Sequence, residues 1–130
     1  MIKEAYCSFE VAKLLKEKGF GIKEETRGYY PIKGDATGRL MFGAEYHHNT
    51  SQVQIAAPTH QMAMAWLREE HDIFIDISYD DLDFYWIVES IAADVPVQDR
   101  PKLLKNGTAC HRTYEEAVET ALKYCLENLI

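Results

Sequence analysis

The chain has 130 residues, of which 47% are apolar and 27% are charged, as in an ordinary globular domain. This composition excludes a largely disordered chain, and no apolar run approaches the roughly 18 residues of a membrane span. The net charge of −7, from 21 acidic and 14 basic side chains, argues against direct nucleic-acid binding, because phosphate contacts need Lys and Arg.

The cysteines predict a reducing compartment. The chain has three cysteines, Cys7, Cys110 and Cys125, so they cannot all pair within it. They also lack the dense, even spacing of secreted disulfide scaffolds. No leader with a basic and then an apolar region opens the sequence. We therefore expect reduced thiols, a cytoplasmic location and no membrane association. Because neither repeats nor shifts in composition divide the chain, we also expect a single domain over residues 1–130.

The first predicted element is a helix over residues 8–20. Ser8 is placed to cap its first turn, and apolar side chains gather on one face. Gly19 is predicted to stop the helix in the left-handed conformation. That ending would bring Phe20 back onto Leu15.

Strand-like runs follow the first helix. Residues 29–33 and 39–46 are rich in aromatic and aliphatic side chains, and the turn residues 34–38 between them predict a hairpin. Pro31 cannot donate a ladder hydrogen bond, so we expect the first strand to lie at an edge. Residues 52–57 alternate apolar and polar side chains and predict a third strand.

A second helix and a second hairpin come next. Pro58 ends the third strand, and the apolar stripe of residues 59–71, with Thr59 as the cap, predicts a helix. Residues 73–79 and 84–91 then predict two strands, and the acidic segment 80–83 turns the hairpin between them.

The last part of the chain is predicted to be a connection and a helix. Residues 94–107 carry two prolines and no periodicity, so they predict a long surface connection. The capping box of Thr113 and Glu116 then opens a third helix. The order α-β-β-(β)-α-β-β-α predicts an α+β fold, with an antiparallel sheet of four to five strands and three helices packed mainly on one face.

Three stretches cover the predicted helices: residues 8–20 (SFEVAKLLKEKGF), 57–69 (APTHQMAMAWLRE) and 113–130 (TYEEAVETALKYCLENLI). Together they resemble a family of small proteins of gut Bacteroidetes and of their phages and other mobile elements. The resemblance implies kinship of fold and no particular activity. It also implies a dispensable accessory protein, compatible with an origin in a mobile element.

The sequence lacks the ligand residues and spacings that known metal-binding and phosphate-binding motifs need. The acidic run at residues 80–83 lacks the glycine and the distant Glu of a calcium loop, and residues 34–39 lack the spacing and the Lys of a phosphate loop. The histidines form none of the short-spaced ligand pairs that zinc sites use. We therefore predict no metal site, no cofactor and no catalytic residue. The histidines considered are His47, His48, His60, His71 and His111.

One thiol remains a candidate for ligand binding or nucleophilic chemistry. Cys125 falls in the apolar stripe of the third helix, where burial raises the pKa of a thiol and suppresses its reactivity. Cys110 precedes the helix cap and is followed by His111. This pair is the candidate ligand or thiol site.

Aromatic side chains on the strands form the candidate interaction surface. Tyr85 and Trp86 are neighbours on a strand and point to opposite faces, so only one of them can point into the core. The other then needs a second partner, such as a helix, a loop, another copy of the chain or a foreign protein. The surface is predicted to comprise Tyr29, Tyr30, Phe84, Tyr85 and Trp86.

The leading hypothesis for function is a non-enzymatic protein-interaction module that self-associates through an aromatic sheet face or an edge strand. The missing catalytic set favours this hypothesis without deciding whether the protein is an enzyme. One alternative is a small-ligand binder or an enzyme built around Cys110 and His111. Another is an acidic mimic of nucleic acid that blocks a nucleic-acid-binding host protein. That mimic would use Asp80, Asp81, Asp83, Glu115, Glu116 and Glu119.

Overall fold

The computed structural model of the protein describes residues 2–99 and 111–130. The secondary structure of this part consists of three α-helices, five strands and one 3₁₀ turn. The elements in chain order are α1 (Phe9–Glu17), β1 (Thr26–Pro31), β2 (Met41–His47), β3 (Gln54–Ala57), α2 (His60–His71), β4 (Ile73–Tyr79), β5 (Phe84–Ser90), the 3₁₀ turn (Val97–Asp99) and α3 (Tyr114–Asn128). The predicted α+β class and element order are confirmed.

The strands form two antiparallel sheets. The first has the order β2-β1-β3, and the second is the pair β4-β5. Each sheet joins strands that turns or short segments connect, whereas the helix α2 separates the two groups along the chain. The chain divides accordingly into two compact units, Met1–Met62 (unit 1) and Ala63–Ile130 (unit 2). The single domain expected over residues 1–130 stays a prediction.

The first helix begins and ends as the sequence predicts. The backbone N–H of Val11 donates to Ser8 Oγ at 3.2 Å, which satisfies a donor that the first turn leaves without a helical partner. Gly19 has φ of 99°, and the N–H of Phe20 donates to Leu15 O at 2.9 Å. Phe20 and Leu15 are fully buried. The predicted ending of α1 is confirmed.

Strand β1 occupies the centre of its sheet, so the prediction that it lies at an edge is wrong. Tyr29 pairs with Met41 of β2 on one side and with Ala56 of β3 on the other. Pro31 is tolerated because it is the last residue of β1. There it pairs only with Gln54 of β3, beyond the point where the β2 ladder stops.

The core of unit 1 lies between α1 and one face of this sheet. Ala12 of α1 packs with buried Tyr30, Ile55 and Ala57 from β1 and β3. The hydroxyl of Tyr30 donates to Cys7 O at 2.7 Å, so the buried phenol retains a hydrogen bond. The sheet therefore contacts both α1 and the segment that precedes it.

Unit 2 contains the β4-β5 hairpin and α3. The two strands pair in continuous register from Ile73 opposite Ser90 to Tyr79 opposite Phe84. Trp86 is buried, and its ring centre lies 5.2 Å from that of Tyr124 on α3. The helix therefore covers the face of the hairpin that carries Trp86.

The predicted caps of the other two helices are also confirmed. Thr59 Oγ1 accepts from the N–H of Met62 at 3.2 Å, and Thr113 Oγ1 accepts from the N–H of Glu116 at 3.1 Å. The connection predicted at residues 94–107 falls largely on residues 100–110, outside the described residues. None of the described helices has the length and apolar character needed to cross a membrane.

Candidate functional site

Two of the predicted surface aromatics lie on β1 and have different surroundings. Tyr30 is buried in the core, whereas Tyr29 is half-buried with its ring centre 4.4 Å from that of His47. Nδ1 of His47 lies 2.6 Å from Gln54 Nε2. His47 of β2 thus contacts residues of both β1 and β3, and it covers part of Tyr29.

The other three predicted aromatics lie on β5. Trp86 points into the core, and Phe84 and Tyr85 are half-buried. The ring of Phe84 contacts Tyr79 and Tyr114, with centre distances of 5.0 and 6.1 Å. Phe84 therefore belongs to a row of three aromatic rings in unit 2.

The proposed ligand or thiol site lies at the boundary of the described residues. Cys110 falls outside them. The main chain of His111 pairs with that of Phe84 through two N–H to O hydrogen bonds of 2.8 and 2.7 Å. The backbone of His111 thus extends the β5 side of the hairpin just before α3.

The two described cysteines form no disulfide with each other. Burial raises the pKa of the Cys125 thiol to about 12, so its nucleophilic thiolate form is suppressed near neutral pH. Cys7 Sγ lies within 4.8 Å of an imidazole nitrogen of His60, and both residues are buried. These two residues are 53 positions apart, and no local pattern could have paired them. Their burial withholds the thiol from solvent.

The outer edge of β3 is closed by residues of unit 1. The N–H of Ala56 donates to Asn49 Oδ1 at 2.7 Å, and Asn49 Nδ2 donates to Phe20 O at 2.8 Å. The N–H of Cys7 donates to Pro58 O at 2.9 Å, directly after the strand. Backbone groups at this edge therefore have partners within the same chain.

The β2 edge, in contrast, exposes large apolar side chains. Met41 is exposed, and the side chains of Phe42 and Tyr46 are 58% and 55% exposed. Tyr6 supports Phe42 with an edge-on ring contact of 5.1 Å. The guanidinium of Arg27 lies 4.8 Å from the centre of the Tyr46 ring. We call Met41, Phe42 and Tyr46 the β2 edge surface.

A large bulge shapes this surface. Thr26 pairs with His47 and Gly28 pairs with Phe42, so Arg27 alone lies opposite the four residues 43–46. A Cβ on Gly43 would lie 2.5 Å from His47 Nε2, which explains the absence of a side chain at this position. The bulge interrupts the row of backbone donors and acceptors that a regular edge strand presents.

Charge is divided unequally along the chain. Residues 1–62 hold 8 basic and 7 acidic side chains, whereas residues 63–130 hold 6 basic and 14 acidic side chains. The β2 edge surface therefore belongs to the nearly neutral unit. The acidic turn after β4 and the acidic first turn of α3 belong to the other unit.

The β2 edge surface was not part of the predicted interaction surface. Residues 39–46 were correctly predicted as a β-prone run, but the interaction role was assigned to aromatics of β1 and β5. A usable signal was present in the run itself, because Gly43 and Glu45 interrupt its apolar character and are typical of an irregular edge.

Comparison with known proteins adds no independent assignment. No family model, curated protein or solved structure matches the chain. The interpretation of the site therefore depends on the contacts and charges described above.

Proposed function

We propose that this protein is a non-enzymatic interaction module that self-associates through the β2 edge surface. One observation carries the proposal: β2 ends its sheet with three exposed large apolar side chains, while the chain closes the opposite edge with its own residues. Aromatic residues dominate the binding energy of many interfaces, because they bury large areas and lose little conformational entropy.

The location of this surface in unit 1 supports self-association. Two copies that meet through unit 1 bring together regions with nearly equal numbers of positive and negative charges. Contact through unit 2 would instead oppose its excess of carboxylates, which repel one another. We place this module in the cytoplasm as an accessory protein, in keeping with its cysteine pattern and with the family resemblance of its helices.

Light scattering coupled to size-exclusion chromatography tests the proposal. We expect the mass of the unaltered protein to rise from monomer to dimer with concentration. The double variant Phe42→Ser/Tyr46→Ser should remain monomeric, because it removes both exposed aromatic rings and leaves the core intact.

Ile22→Ser provides a matched control, because Ile22 is an exposed apolar residue of unit 1 outside the β2 edge surface. This control should dimerise like the unaltered protein. A monomeric unaltered protein at every concentration, or a double variant that still dimerises, would contradict the proposal.

A further inference from the structure

A second group of exposed apolar side chains lies at one end of unit 2. Tyr79 and Leu82 are 58% and 83% exposed, and Tyr114 is also exposed. The ring of Phe84 lies between those of Tyr79 and Tyr114. We call these four residues the aromatic end of unit 2.

Backbone pairing assembles the aromatic end from distant parts of the chain. Tyr79 and Phe84 are partners at the last position of the β4-β5 ladder. Phe84 also pairs with His111, three residues before Tyr114 in the first turn of α3. The three rings are thus positioned by a hairpin and by a helix start, both of which are regular structures.

The turn between the strands holds Leu82 outside this ladder. Asp80 Oδ1 accepts from the N–H of Asp83 at 3.1 Å, and the Tyr79 hydroxyl donates to Asp81 O at 3.1 Å. Asp81 has φ of 82°, a left-handed conformation that Asp adopts more readily than most residues. These contacts define the turn and present its apolar residue to solvent.

Carboxylates lie next to the aromatic end along the chain. Asp80, Asp81 and Asp83 lie in the turn that carries Leu82. Glu115 and Glu116 add two more in the first turn of α3, where Arg112 is the nearest basic residue along the sequence. Among the described residues next to Leu82 and Tyr114, acidic side chains therefore outnumber basic ones. A binding partner that buries the rings must compensate this charge.

We propose that the aromatic end of unit 2 binds a cationic amphipathic polypeptide segment, in which Lys or Arg side chains alternate with apolar ones. Apolar side chains of the segment would cover Leu82 and Tyr79, and its cations would meet the carboxylates of the turn. Guanidinium groups can also stack on the exposed tyrosine rings. This inference is independent of self-association through unit 1.

Isothermal titration calorimetry with synthetic peptides tests the inference. The probe is an amphipathic peptide of Arg and Leu, and the comparison peptides are an oligoarginine of equal charge and a Glu and Leu peptide of the same pattern. We expect the Arg and Leu peptide to bind more tightly than oligoarginine, and the Glu and Leu peptide not to bind. The double variant Tyr79→Ser/Leu82→Ser should weaken binding of the Arg and Leu peptide roughly tenfold.

Two further variants separate this inference from simple charge attraction. Asp81→Asn should weaken both cationic peptides, and Ile22→Ser in unit 1 should change neither affinity. Equal affinity for the two cationic peptides would overturn the inference, as would unchanged affinity in the double variant. Either result would instead match a nucleic-acid mimic that acts through its carboxylates alone. Circular dichroism of each variant verifies that the fold is retained.

Discussion

The two edges of the sheet in unit 1 differ in how their exposed groups are used. At β3, Asn49 and Cys7 engage backbone groups, and Ala56 is fully buried. At β2, a bulge interrupts the backbone ladder, and the side chains of Phe42 and Tyr46 extend into solvent. The β3 edge is therefore closed by hydrogen bonds within the chain, whereas the β2 edge leaves large apolar side chains in contact with solvent.

Removing the side chain of Asn49 should cause the largest loss of stability. Asn49→Ala leaves the N–H of Ala56 and the carbonyl of Phe20 without their side-chain partner. We expect a loss of about 2 to 6 kcal/mol in the free energy of unfolding, because two groups lose their partner and each costs about 1 to 3 kcal/mol when buried. Urea unfolding followed by circular dichroism measures the loss.

Asn49→Asp is the matched control for this prediction. The aspartate keeps an acceptor for the N–H of Ala56 but has no donor for the carbonyl of Phe20. A carboxylate oxygen would instead face the carbonyl oxygen of Phe20 and repel it, so the loss should be at least as large as that of Asn49→Ala. A change in Asn49→Ala below about 0.5 kcal/mol would show that the closed edge does not stabilise the fold.

Gly21 should give the next largest effect, because it lies against the same asparagine. Its φ is 90°, and an added Cβ would lie 2.6 Å from Asn49 Nδ2. We expect Gly21→Ala to cost about 1 to 3 kcal/mol from backbone strain and displacement of Asn49.

Gly34→Ala isolates the backbone contribution, because Gly34 has φ of 93° and open space where the Cβ would lie. It should cost less than Gly21→Ala in the same urea experiment. Equal losses in the two variants would mean that contact with Asn49 adds nothing.

The smallest change in stability is expected at the open edge. Phe42→Ser and Tyr46→Ser remove exposed rings and should each change the free energy of unfolding by less than about 0.5 kcal/mol. We expect these variants to lose association while retaining the unfolding midpoint of the monomer. A loss of stability as large as that of Asn49→Ala would mean that both edges serve the fold.

Local signals predicted much of the architecture. Ser8, Gly19 and Thr113 mark helix ends through hydrogen bonds or dihedral angles that involve near neighbours, and the structure confirms all three. The strands were likewise evident from runs of β-prone residues. Such features need only a few consecutive residues, so the sequence alone was sufficient.

Features that depend on distant contacts were not predicted. The central position of β1 follows from pairing with two strands at once, and the position of Pro31 at the strand end made an edge assignment misleading. The link from Asn49 to Phe20 joins residues 29 positions apart. Neither arrangement leaves a periodic pattern.

At the candidate site, too, local features were predicted and features that depend on distant contacts were not. An aromatic composition predicted that some rings would be surplus to the core, and alternation predicted that Tyr85 and Trp86 would differ. The choice of Trp86 for the core depends on its contact with Tyr124, and the exposure of Phe42 depends on the order of strands in the sheet. Residue type therefore predicted an interaction surface, which stays a prediction, and the strand order determines which rings are exposed.

The unequal pairing opposite Arg27 also has a practical consequence for protein engineering. Because Thr26 and Gly28 keep their partners despite four intervening residues on β2, the segment 43–46 already accommodates surplus chain length. Insertion of a short affinity tag or fluorophore-binding sequence between residues 44 and 45 should leave both flanking pairs in place. This position is therefore suited to a reporter whose signal changes when the protein meets a partner.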